Sequence, residues 1–257
     1  MSYVDVRGVA KAYGRRTIIE NINVSVDKGQ FISIVGASGC GKSTFLRLLL
    51  AQEQPTRGEI HIDGAPMAEE PGRDHGIVFQ RYSVFPHMRV IDNLLAARGF
   101  GSSFFGFLPA ASHAAARKEA QATLARIGLD HVEKNYPASL SGGMLQRLAI
   151  AQALAGEPKV LLLDEPFGAL DPGTKLVMHD FLQDLRDETG MTVFMVTHDL
   201  EEAFKLGDRV WAFDKPVWDP DDPERNAATI TYDFDARDGG IPFQTLKEHT
   251  RVLYPGH

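Results

Sequence analysis

Three glycines, a lysine and three hydroxyl side chains are concentrated in one short segment of the sequence, GASGCGKST at residues 36–44. Gly36, Gly39 and Gly41 permit a backbone that wraps around phosphate oxygens and points its N–H groups inward. A helix that starts directly after these glycines adds the positive end of its dipole. The segment therefore matches the pattern of a phosphate-binding loop, or P-loop.

The other residues of the P-loop have separate expected roles. Lys42 places its ammonium on the β- and γ-phosphates, Ser43 offers a hydroxyl ligand to Mg²⁺, and Thr44 adds a contact to the α-phosphate. The positions between the glycines are filled by Ala37, Ser38 and Cys40. Cys40 is open to two interpretations. It is either a small residue at a variable position, or a thiol whose pKa the helix N-terminus lowers, which makes it sensitive to oxidation or alkylation.

A pair of carboxylates at the end of an apolar run supplies the partner that such a loop requires. The sequence VLLLDEP at residues 160–166 predicts a buried strand that ends in Asp164 and Glu165. Asp164 would hold Mg²⁺ through water, and Glu165 would polarise the attacking water as a general base. The alternative is a simple turn before Pro166. Adjacent carboxylates at the end of a buried strand cost desolvation free energy, however, which favours a metal or phosphate role.

A second anion site is predicted at LSGGM, residues 140–144. Ser141 has the residue type of a helix N-cap, and Gly142 and Gly143 free the backbone at the start of the next helix. Taken alone, this segment is an ordinary helix start. Together with a P-loop earlier in the same chain, it indicates a second phosphate cradle.

The elements that must position these motifs follow from the pattern of apolar residues. Strands are predicted at residues 3–9, 18–26, 30–35, 160–163, 192–196, 209–213 and 228–234, the last as an edge strand. Helices are predicted at residues 42–52 and 110–127, with a loop at 99–109 between helical segments. A helical segment therefore interrupts an α/β core.

Composition excludes several classes of protein. The 257 residues carry a formal charge of −7, and 44% are hydrophobic, as is typical of a soluble globular chain. The net acidity argues against broad nucleic-acid binding, the single Cys40 excludes an intramolecular disulfide framework, and no apolar run is long enough to span a bilayer. Charges at Asp5 and Arg7 argue against a signal peptide. No zinc site is predicted from the scattered His61, His75, His87, His113 and His131.

In the order of its motifs, the chain resembles the ATP-binding subunit of an ABC transporter over about residues 3–214. GASGCGKS is similar to Walker A, LSGGM to the ABC signature, and VLLLDEP to Walker B with its catalytic glutamate. The remaining correspondences are Gln80 in VFQRYSVFP with the Q-loop glutamine, GALD at 168–171 with the D-loop, His198 in VTHD with the switch histidine, and Tyr13 with the aromatic ring on adenine. Met144, Gln152 and Gly168 depart from the common pattern, but none of them removes a phosphate-binding or catalytic group.

The resemblance implies a fold and a division of the chain. The expected fold is α/β, a P-loop NTPase core of mostly parallel sheet with an N-terminal antiparallel β portion and an inserted α-helical subdomain. The expected domain covers residues 1–235, with the helical insert at about 87–157, and a tail at 236–257. The acidic run at 219–224 is either solvated surface or a regulatory tail.

The resemblance also implies roles and partners. ATP and Mg²⁺ would lie between Walker A of one subunit and the signature of another in a head-to-tail homodimer. Gln80 would reach Mg²⁺ and sense the γ-phosphate, and His198 would contact the γ-phosphate unless it is a capping or core histidine. Asp171 would signal across the interface, act as an N-cap, or both. The region around Arg81–Met88 would form a groove for a membrane permease, or else belong to the core.

The expected function is that of the ATP-hydrolysing motor of an importer, most like the nitrate, sulfonate and taurine group. It would work with separate permease subunits and a solute-binding protein, in the cytoplasm on the inner face of the cell membrane. Two alternatives stay open: a soluble ABC ATPase that is not coupled to a permease, and a nucleotide-binding module without turnover.

Overall fold

The computed structural model describes residues 2–70, 72, 74–79, 84–102, 110–216 and 227–236. Its strands are β1 (Val4–Tyr13), β2 (Arg16–Val26), β3 (Phe31–Gly36), β4 (Arg57–Ile62), β5 (Ala65–Pro66), β6 (His75–Val78), β7 (Val160–Asp164), β8 (Thr192–Val196), β9 (Arg209–Asp214) and β10 (Thr229–Asp235). Its α-helices are α1 (Lys42–Leu49), α2 (Val90–Ser102), α3 (Ala110–Arg126), α4 (Gly142–Ala155), α5 (Pro172–Thr189) and α6 (Leu200–Leu206). Short 3₁₀ helices lie at Asp130–Val132 and Pro137–Ser139.

The chain divides into two compact units. The first combines Met1–Gly72 with Thr192–His257, and the second is the intervening segment Arg73–Met191. The helical insert predicted at 87–157 lies within the second unit.

The first unit contains an antiparallel sheet with the strand order β2-β1-β4-β5. Val4 of β1 lies opposite Val26 of β2 on one side and Ile62 of β4 on the other. Val4 and Val6 of β1 are buried on either side of the half-buried Asp5, as expected for a strand with one buried face, but a pairing irregularity between Val6 and Val9 breaks this alternation. This is the predicted N-terminal antiparallel portion.

The P-loop strand β3 belongs to a second set of strands in the first unit, in the order β10-β9-β3-β8. β3 runs parallel to both β8 and β9, whereas β10 runs antiparallel to β9 at the edge. Phe31 to Val35 are buried without exception, which agrees with a strand covered on both faces. Phe45 of α1 packs on the sheet against Trp211 and Phe213, at ring-centroid distances of 6.2 and 5.5 Å.

The second unit joins a parallel pair of strands, β6 and β7, to the helices α2 to α5. α2 packs against both α3 and α4. Leu124, Ile127 and Leu148 are fully buried within this unit. Arg147 of α4 donates from Nη1 to the carbonyl oxygen of Ile127 at 2.6 Å, which ties α4 to the end of α3.

Most predicted elements are confirmed, with some corrections. The strands at 192–196 and at the edge near 228–234 are present. The predicted loop at 99–109 is wrong at its start, because α2 continues through residues 99–102. Extending a helix that has already formed costs less than starting one, which offsets the low helix propensity of Gly99 and Gly101. Strands β4, β5 and β6 were not predicted.

Residues 103–109, 217–226 and 237–257 lie outside the described part of the chain, so the rest of the predicted loop, the acidic run and most of the tail are not described. In the ranges that are described, no helix has both the length and the apolar character that crossing a membrane requires.

Candidate phosphate-binding and active site

Two glycines of the P-loop are required by close backbone approach. A Cβ atom on Gly36 would lie 2.2 Å from the carbonyl oxygen of Phe213, which no side chain tolerates. Gly41 has φ 103°, and a Cβ there would lie 2.6 Å from Cγ2 of Ile19. The sharp turn between β3 and α1 therefore depends on these glycines, as the sequence predicts.

Lys42 begins α1 and is only 7% exposed. Its ammonium donates hydrogen bonds to the carbonyl oxygens of Gly36 at 2.7 Å and Ala37 at 2.8 Å. Gly41, the N-cap, offers no side-chain acceptor, so the N–H groups of the first turn remain for a ligand. Ser43 and Thr44 lie in the same turn and are half-buried. The loop thus combines a buried cation, uncapped N–H groups and two hydroxyls, which is the chemistry of a triphosphate cradle.

Cys40 lies in the P-loop and is 2% exposed. Burial raises the pKa of its thiol and outweighs the nearby Lys42 ammonium, which acts in the opposite direction. This agrees with the interpretation of Cys40 as a small packed residue. The alternative, a thiol with a lowered pKa, is wrong, because desolvation exceeds the effect of the positive charge.

Tyr13 is the last residue of β1 and is 45% exposed. A cluster of charged side chains, Glu53, Lys11 and Arg47, surrounds it. Its hydroxyl donates a short hydrogen bond to the Glu53 carboxylate. Lys11 lies over one face of the ring, with Nζ 5.1 Å from the centroid and 3.2 Å from Glu53 Oε2. Arg47 of α1 lies 3.6 Å from the other oxygen of Glu53. Since Lys11 occupies one face, a flat ligand can stack only on the other.

The same cluster changes the acidity of its members. Burial, followed by the hydrogen bond to Glu53, raises the pKa of Tyr13. Burial alone would raise the pKa of Glu53, but hydrogen bonds from Tyr13 and Lys11 reverse the direction and lower it. Glu53 is therefore held ionised, and Tyr13 is held as a hydrogen-bond donor.

His198 is exposed, in the turn between β8 and α6. The residues around it fix this turn. The Thr197 hydroxyl, 2% exposed, donates to the buried Glu202 carboxylate at 2.5 Å, and Asp199 accepts from the N–H groups of Glu201 and Glu202. Asp199 is therefore the N-cap of α6. The alternative of His198 as a core or capping histidine is wrong.

Asp164 and Glu165 lie where predicted, at the end of the buried strand β7 in the second unit. Both are half-buried. Glu165 has φ 50°, a left-handed conformation that is uncommon for a residue with a side chain. Such conformations concentrate at functional sites.

Ser141 is the N-cap of α4, as predicted, and its Oγ accepts from the N–H of Met144 at 3.3 Å. Gly142 and Gly143 lie inside the first turn of α4 with ordinary negative φ, and their expected role in an anion site stays a prediction. Gly143 is also closely packed, because a Cβ there would lie 3.3 Å from Cδ2 of Leu170.

Asp171 is the N-cap of α5, which was one of its two expected roles. It accepts from the Thr174 N–H at 3.0 Å and from the Thr174 hydroxyl at 2.6 Å. These hydrogen bonds lower the pKa of the Asp171 carboxyl. Its role across a subunit interface stays a prediction.

Gln80 and residues 81–83 lie outside the described residues, so the predicted Q-loop glutamine has no described geometry. The turn that follows it, residues 85–89, is held by Asn93 of α2, whose side chain is fully buried. Asn93 accepts from the N–H of Phe85 at 2.7 Å and donates to the carbonyl oxygens of Phe85, Met88 and Arg89. Phe85 and Met88 are half-buried, so part of each side chain is exposed and available for contact.

Sequence reasoning missed three polar residues that organise these segments, namely the half-buried Glu53 and the buried Asn93 and Gln146. Gln146 and Asn93 are each a single amide within an apolar helix face, beside Leu148 and Ile150 or beside Ile91 and Leu94. A lone polar residue at a core position is the signal that points to such a role.

The side chains assigned to Mg²⁺ fit that ion in their chemistry. Ser43 offers a hydroxyl oxygen and Asp164 a carboxylate oxygen, and Mg²⁺ prefers oxygen ligands. Asp164 is the last residue of β7, and Ser43 lies in the first turn of α1, which follows the glycine-rich loop after β3.

Comparison with known proteins gives consistent results. The family described as "ABC transporter" matches residues 19–168. The aliphatic sulfonates import ATP-binding protein SsuB 2 of Pseudomonas aeruginosa is 44% identical over 206 residues, which cover 80% of this chain and 69% of that protein. The nitrate import ATP-binding protein NrtD of Synechocystis sp. is 45% identical over 198 residues, 77% of this chain and 71% of that protein.

The fold is also that of a solved structure, the dimeric ATP-binding cassette MJ0796 in a post-hydrolysis state bound to ADP and Pi. The TM-score is 0.75 at 30% sequence identity, and the match covers 91% of this chain and 99% of that one. The chain spans between 57% and 71% of the length of the curated relatives it matches.

Proposed function

Since the chain belongs to the ABC transporter family of ATP-binding proteins, we propose that it hydrolyses ATP to drive the import of a small solute through a separate permease. The observation that carries this proposal is the intact P-loop cradle, in which the backbone turn at Gly36 and Gly41 surrounds the buried Lys42 ammonium. Every group that the cradle requires is present. The alternative of a nucleotide-binding module without turnover is tested at Glu165.

Each side chain of the site has a separate role in ATP hydrolysis. Lys42 and the N–H groups of α1 bind the β- and γ-phosphates and neutralise charge that develops on them. Glu165 accepts a proton from water as the water oxygen bonds to the γ-phosphorus and the bond to the β–γ bridging oxygen breaks. His198, exposed on its fixed turn, donates to the γ-phosphate. Tyr13 stacks on adenine with the ring face that Lys11 leaves open.

A divalent cation belongs to this site. Ser43, Asp164 and Gln80 would supply oxygen ligands, directly or through water. When bound, Mg²⁺ would neutralise phosphate charge during cleavage.

The second cradle, at Ser141, accounts for a homodimer. Walker A of one copy holds a triphosphate, and the signature of the other copy completes the site in a head-to-tail arrangement. Asp171 extends from the same region toward the interface. ATP then acts as interfacial glue, and hydrolysis weakens the contact and reopens the dimer.

The membrane partner is proposed to bind at the region around Arg81–Met88, where the Asn93-held turn presents Phe85 and Met88. The chain would then lie in the cytoplasm on the inner face of the membrane, in a complex that includes a solute-binding protein. Similarity to sulfonate and nitrate import proteins supports a nitrate-, sulfonate- or taurine-like solute.

Glu165→Gln tests the proposal because it keeps the size of the side chain but removes the base. We expect ATP turnover to fall by about 100-fold or more, ATP to remain bound, and a stable dimer to accumulate in size-exclusion chromatography with ATP. Lys42→Ala serves as the matched comparison and should lose ATP binding itself. Equal turnover in Glu165→Gln and the unmodified chain would contradict the assignment. Capture of a permease from detergent-solubilised membranes tests the coupling to transport.

A further inference from the structure

A buried amide on α4 hydrogen-bonds two backbone groups in the segment that follows β7. Gln146 is only 5% exposed. Its Nε2 donates to the carbonyl oxygen of Glu165 at 3.2 Å, and its Oε1 accepts from the N–H of Ala169 at 3.1 Å. One side chain of α4 therefore fixes both ends of the turn that carries the catalytic carboxylate and leads into the D-loop.

The backbone at Glu165 requires such support. Its φ of 50° is unfavourable for a residue with a Cβ, and conformations of this kind persist only where the surroundings determine them. The Glu165 carbonyl oxygen accepts from Gln146 and also lies 3.4 Å from the Gly168 nitrogen within the turn. Removing Gln146 would leave the part-buried carbonyl of Glu165 and the part-buried N–H of Ala169 with fewer partners in the folded state.

The helix that carries Gln146 also carries the ABC signature. Ser141 caps it, and Gly143 packs against Leu170 and Ala169 of the D-loop, at 3.3 and 3.5 Å from the position of a Cβ. α4 therefore touches the D-loop at Gly143 and again, one turn further on, at Gln146. The contacts of α4 therefore connect the ABC signature to the turn that carries Glu165 within the same chain.

We propose that Gln146 is a positioning residue that holds Glu165 in its hydrolysis-competent conformation and links that conformation to the signature helix. This inference rests on the proposed function, because it requires Glu165 to be the general base. A nucleotide held by the partner copy contacts the Ser141 end of α4. Through Gln146, the same contact acts on the Glu165 that serves the chain's own nucleotide, so that each site responds to occupation of the other.

Gln146→Met in the full chain tests this role. Methionine has a similar length but neither donates nor accepts strongly, so both hydrogen bonds are lost with little change in volume. We expect kcat to fall by about 10- to 100-fold, because small displacements of a catalytic group have effects of that order. The Kd for ATP should change by less than about twofold, since the P-loop is untouched.

A matched control lies on the same helix. Gln152 has a buried Oε1 without a hydrogen-bond partner in the part of the chain that the structure describes, so Gln152→Met removes no comparable bond from that atom. It should leave kcat within about twofold of the unmodified chain. Gln146→Glu is a second variant that keeps the acceptor and loses the donor. It should lower kcat without lowering ATP affinity, and it keeps the test decisive if Gln146→Met does not fold.

Gln146 and Glu165 are also tested together in a double variant. In a Glu165→Gln background, Gln146→Met should cause no further loss, because there is no longer a base to position. The inference is overturned if Gln146→Met turns over ATP as fast as Gln152→Met, or if its ATP affinity falls in parallel with kcat. It is also overturned if the loss of kcat in the double variant is the product of the losses in Gln146→Met and Glu165→Gln. If Glu165→Gln itself leaves turnover unchanged, the proposed catalytic base fails, and this inference fails with it.

Discussion

At the scale of single residues, the environment of each side chain decides its reactivity more than its place in a motif. Cys40 lies at the start of a helix, where a thiol is usually acidified, yet burial raises its pKa. The thiolate is the reactive form, so the native protein should react slowly at neutral pH and faster as the pH rises toward the raised pKa.

We expect iodoacetamide to modify Cys40 at pH 7 at least about tenfold more slowly in the native protein than in urea. The rate in the native protein should increase between pH 7 and pH 9, because the thiolate fraction grows with pH. Mass spectrometry of timed samples measures both rates. Equal rates in native and unfolded protein at pH 7 would show that the thiol is neither buried nor shifted.

Glu53 provides a second prediction at this scale, since it connects the Tyr13 hydroxyl to Lys11 and Arg47. Glu53→Gln removes the charge that holds both cations and weakens the hold on the Tyr13 ring. We expect the Kd for ATP to rise by about three- to tenfold, whereas the Kd for magnesium tripolyphosphate, which has no base to stack, should not change. Isothermal titration calorimetry measures both.

Glu59→Gln is the control for loss of one negative charge, because Glu59 is exposed and its contact with Arg7 is 3.5 Å long. It should leave both affinities unchanged. A parallel loss of ATP and tripolyphosphate binding in Glu53→Gln would mean that Glu53 supports the P-loop and not the base.

At the scale of elements, short irregular segments are stabilised by a few buried polar side chains. The turn at 85–89 contains no helix or strand, yet Asn93 makes four hydrogen bonds to its backbone from within α2. The described part of the surface proposed for the permease, the turn at 85–89, is therefore held rigidly by a side chain of α2.

Asn93→Leu tests that rigidity. The apolar side chain cannot satisfy the four backbone groups, so we expect the free energy of unfolding to fall by about 1–3 kcal/mol and trypsin to cleave faster at Arg89. ATP affinity should not change. Asn135→Leu, at an exposed asparagine of the same unit, should show neither effect. Urea denaturation and peptide mapping measure them, and unchanged cleavage at Arg89 would contradict a role of Asn93 in the turn.

The same scale shows which elements a sequence can predict. β7 is an apolar run that ends in carboxylates, and β3 is an apolar run, apart from Ser33, that ends in Gly36, so the type and the ends of both strands are encoded locally. The helical state of residues 99–102 is not encoded locally, because Gly99 and Gly101 have low helix propensity and yet α2 continues through them. β4 begins with the polar, glycine-containing segment Arg57–Glu59 and becomes a strand through its pairing with β1.

At the scale of the whole molecule, the motifs and the fold class were predictable, whereas the links between motifs were not. The P-loop, the caps Ser141 and Asp171, and the carboxylate pair each depend on neighbours a few residues away. Gln146 reaches Glu165 across 19 residues, and Tyr13 reaches Glu53 across 40. Contacts at such separations follow from the tertiary fold and not from any local pattern.

The first unit is assembled from both ends of the sequence, and this has a consequence for biosynthesis. Both neighbours of the apolar strand β3, namely β8 and β9, follow the second unit in sequence, and backbone groups beside β3 bind Thr192 and Asp208 at separations of 163 and 177 residues. At translation rates of about 5–20 residues per second, the ribosome takes roughly 10 to 30 seconds to deliver these partners. During that interval the middle of the chain can already fold, while nascent β3 offers chaperones an unpaired apolar edge.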